Sequence, residues 1–270
     1  MGTIGRLAGR GRYAARAVAA VAAQPREGLE RTLERVAEFW DVRRRPWHYD
    51  PVEDYADRLE RLIGPLDPAD DAAFERVWDA ALADLRGQGL RLGRAAFGGW
   101  DDGDVRLGRL AWWLTRRLRP EFAVETGVAR GLTTRVLLEA MGERGRLWSI
   151  DLPPLIETEL AQETAAAVPP HLRDRWTLVE GSSRHRLPTL VRQLPRVDLF
   201  VHDSMHTARN VRFELEQVWP ALGPGCAALV DDVQQNRATQ EFLRAHTDAT
   251  GVILRAADGA ALIAVLVKRG

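Results

Sequence analysis

The chain has 270 residues, with 38 Lys+Arg against 38 Asp+Glu, 46% hydrophobic and 28% charged. That length suits one large domain, or one domain plus an appendage, with enough apolar content for its own core. Zero net charge excludes a basic nucleic-acid footprint, no apolar run approaches the ~20 residues that cross a bilayer, and a lone Cys226 excludes an intrachain disulfide framework or a cysteine-built zinc site. The expectation is a soluble, cytoplasmic globular protein without nucleic-acid partners or stable membrane insertion.

Residues 1–25 carry Arg6, Arg10, Arg12 and Arg16 and no acid, around an alanine-rich stretch. They lack the strongly apolar core of a signal peptide and the bulky face of a membrane-surface helix, so they read as a solvated leader or the start of a helix. From Arg26 to about Ala96, apolar positions recur at helical spacing. Leu29, Leu33, Val36 and Trp40 form one stripe; Val52, Tyr55, Leu59 and Leu62 a second; Phe74, Val77, Trp78, Ala81 and Leu85 a third. Pro46, Gly64-Pro65 and Asp67-Pro68 punctuate them. This segment, 1–96, reads as a helical extension serving as a cap or as the contact of a homo-oligomer.

Beyond residue 97 the pattern alternates. A helix over 105–118 is followed by strands at 122–126, 147–151, 176–179, 197–203 and 227–231, with helices between them, including one around 157–168. Short apolar strands separated by helices predict an α/β doubly wound, mostly parallel sheet. The last two strands, 252–256 and 261–267, are separated only by an Asp258-Gly259 turn, which predicts an antiparallel final strand.

Ligands of such sheets sit at the carboxyl ends of the strands. There the chain places Glu125-Thr126-Gly127-Val128-Ala129-Arg130-Gly131, then Asp151, then Gly181-Ser182-Ser183, then His202-Asp203-Ser204-Met205-His206, then Asp231-Asp232. The glycine turn fits neither the G-x-G-x-x-G dinucleotide spacing nor a P-loop. Asp151 can hold ribose hydroxyls or merely cap a turn. Asp203, Asp231 and Asp232 end two neighbouring strands; three carboxylates so close repel unless a cation joins them or one keeps a proton, and an all-oxygen set favours Mg²⁺.

Residues 97–270 resemble a class I S-adenosylmethionine-dependent methyltransferase. Val124–Gly131 is similar to the cofactor loop of that family, and Asp151 matches its ribose-binding acid. The 181–188 stretch resembles the adenine-side turn of catechol-type O-methyltransferases. His202–His206 with Asp231-Asp232 resembles the metal site of that branch and of the macrocin-type sugar O-methyltransferases. The catechol-type pattern has Asp-Asn where this chain has Asp231-Asp232, and the all-acid version leans toward the sugar-modifying branch. That pattern also has lysine where His206 stands, which implies a different base. The resemblance implies a cofactor site of Glu125, Thr126, Gly127, Arg130, Gly131, Asp151, Gly181, Ser182, Ser183 and Asp203. It also implies a divalent ion, Mg²⁺ or another, on Asp203, Asp231 and Asp232, with His206 or Asp203 as catalytic base. The implied reaction is methylation of a small-molecule hydroxyl, of a sugar first or of a phenol or catechol second. Another metal-dependent reaction, or a non-catalytic cofactor-binding partner, on the same fold are the other readings.

Overall fold

Seven strands lie in the order β3-β2-β1-β4-β5-β7-β6 in a computed structural model that describes residues 24–43, 47–98, 101–152, 154 and 158–270. The basic leader expected within 1–25 lies almost wholly outside the described residues. The strands are β1 (Phe122–Thr126), β2 (Arg146–Asp151), β3 (Trp176–Glu180), β4 (Val197–His202), β5 (Leu222–Val230), β6 (Ala249–Arg255) and β7 (Leu262–Lys268). The first five run parallel, and β7 inserts antiparallel between β5 and β6, as the missing helix before it predicts. Strand order reverses at the β1/β4 pair, so a crevice opens at their carboxyl ends.

The helices are α1 (Pro25–Arg43), α2 (Tyr55–Ile63), α3 (Pro68–Gly87), α4 (Val105–Leu118), α5 (Leu132–Met141), α6 (Thr158–Gln162), α7 (Ser183–Gln193), α8 (Ala208–Val218) and α9 (Ala238–Ala245). Two apolar clusters cover the two sheet faces. Leu59, Phe74, Trp78 and Leu85 from the N-terminal helices join Leu107, Leu137 and Leu199 in one, while Phe200, Val211, Leu215 and Phe242 belong to the other. Helices α2 and α3 therefore share a core with the sheet. Among the described residues, no helix is long and apolar enough to cross a membrane.

Two elements differ from the sequence reading. The helix expected over 157–168 stops at Gln162, because Ala165 turns left-handed (φ 61°) and the amides of Ala165 and Ala167 bond to the carbonyls of Ala129 and Arg130, both at 2.8 Å. Those residues buttress the glycine turn rather than extend a helix. On α1 the apolar stripe faces outward: Leu29, Val36 and Phe39 are 58%, 50% and 47% exposed. The opposite, acidic stripe does the docking, since what it meets is a row of donors. Glu34 accepts from Thr207 and Arg209, Glu27 from the Ser182 amide, and Asp41 from the Ala208 amide at 2.7 Å.

Candidate active site

The turn after β1 is built from left-handed residues: Gly127 (φ 88°), Ala129 (φ 46°) and Gly131 (φ 81°). Gly127 is required twice over, because a Cβ there would also fall inside the Asp203 carbonyl group. The turn folds over the end of β2, where Asp151 Oδ2 accepts the Ala129 amide at 3.1 Å. Burial pushes the Asp151 carboxyl up, against the downward pull of the backbone amides around it. Gly127, Gly131 and Asp151 line the cleft, as do Gly181, Ser182 and Ser183 beyond β3.

Three of the expected cofactor residues sit differently. Glu125 and Thr126 are fully buried beneath the turn and are not on the cleft wall. The Arg130 side chain lines the cleft, yet its guanidinium is engaged by Asp102 at 3.0 Å, Glu163 at 2.9 Å, and the Arg91 and Ala96 carbonyls at 2.6 and 3.0 Å. Arg130 thus ties the turn to the segments that flank it, and has no donor left for a ligand.

At the adjoining strand ends, Asp203, His206 and Asp231 each present one ligand atom within 4.8 Å of the others. The β4/β5 register, which pairs His202 with Val230, sets this up, since it brings the next residues, Asp203 and Asp231, side by side. The expected trio of Asp203, Asp231 and Asp232 is therefore drawn together with His206 in the place of Asp232. Asp232, left-handed at φ 53°, turns its carboxylate to the amides of Gln234 and Gln235 at 2.8 and 2.5 Å, and lies 3.7 Å from His206 Nε2.

Burial and then the Asp231 charge push the Asp203 carboxyl well above the usual range; burial and then Asp232 do the same to Asp231. Burial lowers the His206 imidazole to about 4, so at neutral pH it is uncharged and has a lone pair to offer. Asp231 Oδ1 and His206 Nδ1 are buried with no hydrogen-bond partner. Two mutually repelling carboxylates and two orphaned buried atoms fit a divalent cation, in a mixed oxygen and nitrogen set rather than the all-oxygen one expected.

These features share one cleft of about 1500 Å³, bounded on one side by Glu30, Arg31 and Arg35 of α1, and elsewhere by Asp104, Gln234 and Asp258. Sites for a single drug-sized ligand run to roughly 1,000 Å³, so two molecules can lie side by side here.

Residues 124–233 match the family model described as a methyltransferase domain. Over those residues the chain is similar to methyltransferase domains. Its sheet order and reversed last strand are those of the class I fold, and solved structures with that architecture are similar to it over most of their length. A candidate O-methyltransferase from Klebsiella pneumoniae is 19% identical, with 80% of this chain and 96% of that one aligned at a TM-score of 0.57. The O-methyltransferase TomG of Streptomyces achromogenes, involved in tomaymycin synthesis and solved with SAM, is 18% identical over 80% and 96% of the chains (TM-score 0.55). An O-methyltransferase from Bacillus cereus, in complex with SAH, is 16% identical over 79% and 97% (TM-score 0.55). No curated protein matches the sequence.

Two buried acids of this region have notable surroundings. Glu214 of α8, not among the residues singled out by sequence, is fully buried. Its Oε2 accepts from Thr126 Oγ1 at 2.5 Å and from His202 Nδ1 at 2.7 Å; its Oε1 accepts from Ser204 Oγ at 2.8 Å and Asn210 Nδ2 at 2.9 Å. Burial alone would raise its carboxyl, but His202 and the hydroxyl donors hold it at about 2. The available signal was positional: with Val211, Leu215 and Val218, Glu214 occupies the apolar stripe of its helix, where an acid needs a reason.

Glu125 is the reverse case. Desolvation raises its carboxyl to about 7 although Ser149 and Thr134 donate to it at 2.6 and 2.7 Å, and its Oε1 has no partner. A carboxyl whose native pKa exceeds its unfolded value stabilises the fold below the unfolded pKa, and that contribution is lost as pH rises through about 7. Glu125→Gln, neutral at every pH, is therefore expected to exceed wild type in thermal stability at pH 8, by on the order of 3 kcal/mol, and to lose that advantage toward pH 5. Equal melting temperatures at pH 8 would contradict the assignment.

Proposed function

We propose that the chain transfers a methyl group from S-adenosylmethionine to a hydroxyl of a small molecule, with a divalent cation assisting, and that the acceptor is a sugar or glycosylated natural product. The observation that carries this reading is the convergence of Asp203, His206 and Asp231 on the same cleft that the Gly127–Gly131 turn lines. Support for the cofactor comes from the SAM and SAH complexes of TomG and the Bacillus cereus enzyme, which share the fold. A hydroxylated acceptor is favoured by polar groups on the cleft wall, such as Arg35 and Glu38 of α1, which stand beside apolar Trp78, Leu82 and Phe97.

When bound, the cofactor supplies a methyl group already activated on its sulfonium, and the cation supplies positive charge beside the acceptor oxygen. The protein's part is alignment and proton management. Asp151 is placed to accept from ribose hydroxyls, and the left-handed turn lets the backbone approach the cofactor closely. Asp203, His206 and Asp231 would hold the ion. A neutral imidazole has a single lone pair, so His206 either holds the ion or takes the hydroxyl proton; where it holds the ion, the second oxygen of Asp203 is the taker. Helix α1, latched by its acidic stripe, bounds the cleft on one side.

Calorimetry with S-adenosylmethionine, with and without Mg²⁺, tests the reading. Saturable binding of the cofactor is expected, and heat of mixing alone would overturn the proposal. Transfer to hydroxylated acceptors is expected to stop after exhaustive EDTA treatment and to return with Mg²⁺; undiminished activity in EDTA removes the cation from the scheme.

A further inference from the structure

We propose that Glu214 is the positioning residue of this site, tying the ends of β1 and β4 to α8 and thereby fixing the Asp203–His206 loop opposite Asp231. The inference rests on the cation reading above and adds to it a residue that no contact with the ion or the substrate would reveal.

The loop has few constraints of its own. Its glycine-turn side is held by one backbone bond, from the Asp203 amide to the Thr126 carbonyl at 2.8 Å. Apart from one bond from Asn236 to the end of the loop, the side-chain hydrogen bonds that fix it converge on Glu214 or on a neighbour of it. Ser204 donates directly to its carboxylate, and Asn210, which donates to the same oxygen, also donates to Ser204 Oγ at 3.0 Å and to the Met205 carbonyl at 3.1 Å. His202, immediately before Asp203, donates its Nδ1 proton to the other oxygen, which orients the ring edge-on to His206 at 5.5 Å between centroids. A carboxylate has only acceptors, and all four groups facing Glu214 are donors, so ring, loop and helix are fixed in one arrangement. Asn236 completes the loop by donating to the His206 carbonyl at 2.9 Å.

The network reaches the cofactor side as well. Thr126, at the end of β1, donates to Glu214, and Ser183, at the start of α7, is 3.3 Å from the Asn210 side-chain oxygen. One fully buried charge therefore indexes both halves of the cleft to each other. Keeping a charge there is costly, and a well-packed apolar side chain of the same volume would serve stability at least as well. What an apolar side chain would not supply is the orientation of four donors.

Glu214→Gln keeps the size but turns an amide toward two of the four donors. In the full chain, its Mn²⁺ affinity, read by electron paramagnetic resonance, is expected to fall roughly 10- to 100-fold, the range for outer-shell partners of metal sites. Cofactor binding and the near-ultraviolet circular dichroism of the fold are expected to persist. If wild type takes up no Mn²⁺, the cation reading and this assignment fall together; if wild type and Glu214→Gln bind Mn²⁺ equally, the assignment alone falls. Should Glu214→Gln not fold, Ser204→Ala, which deletes a single bond to the carboxylate, is expected to weaken Mn²⁺ binding by a smaller factor, and unchanged affinity there overturns the proposal.

Discussion

Gly127→Ala is expected to cost several kcal/mol of stability and to abolish cofactor binding. Two effects add at this position. The backbone is left-handed at φ 88°, and a Cβ would land on the Asp203 carbonyl, a backbone group that has no rotamer with which to escape. The conformational term is roughly 1–2 kcal/mol for a non-glycine residue. Gly225 isolates it: φ there is 78°, and no atom lies within 4 Å of where a Cβ would stand. Gly225→Ala should therefore lose about 1 kcal/mol and keep its activity, whereas Gly127→Ala adds an overpacking cost of about 1–3 kcal/mol and splays the turn from the Asp203–His206 loop. Thermal unfolding and calorimetry on the pair measure both; equal losses would mean that the close approach is unimportant.

Asp231→Asn carries the second large effect. The substitution preserves shape while removing one of the two charges that the cation reading requires, and the Asp231 carboxylate belongs to the converging acids rather than to the Gly127–Gly131 turn. Cofactor affinity should therefore be close to wild type, with Mn²⁺ uptake lost and transfer reduced by on the order of 10³-fold, the several kcal/mol a cation contributes at an acceptor oxygen. Asp232→Asn provides the contrast. Its carboxylate is engaged by Gln234 and Gln235 and stands outside the converging trio, so the loss should be distinctly smaller. Retained turnover in Asp231→Asn would refute the role given to this residue.

Much of this architecture could be read from residue order. The strands announced themselves as short apolar runs, and the reversed end of the sheet followed from a hairpin turn with no helix before it. Because the sheet order places the second, first, fourth and fifth strands side by side, listing the residues after each strand also lists the sheet side of the cleft, though not the wall that α1 and residues 78–105 supply. What resisted reading was direction and pairing. Arg130 looked like a ligand contact from its place in the turn, but Asp102 and Glu163, distant in sequence, claim it. Residues 163–168 are alanine-rich and helical by propensity, yet tertiary bonds to the turn outweigh propensity. On α1 both stripes are periodic, and which one docks depends on the donors clustered at the start of α8, a fact about the other surface. Asp232 and His206 exchanged places because a left-handed residue follows Asp231, a local twist that alternation along a strand does not forecast.

The contact between Gly127 and the Asp203 carbonyl has an implication for the order of events in solution. The turn that faces the cofactor and the loop that carries the acids touch with no side chain between them, so they cannot stiffen independently. A ligand that quiets the motion of one leaves less disorder to remove when the other is filled. On the cation reading proposed above, thermodynamic reciprocity then has cofactor and cation strengthen each other's binding by the same factor, whichever arrives first.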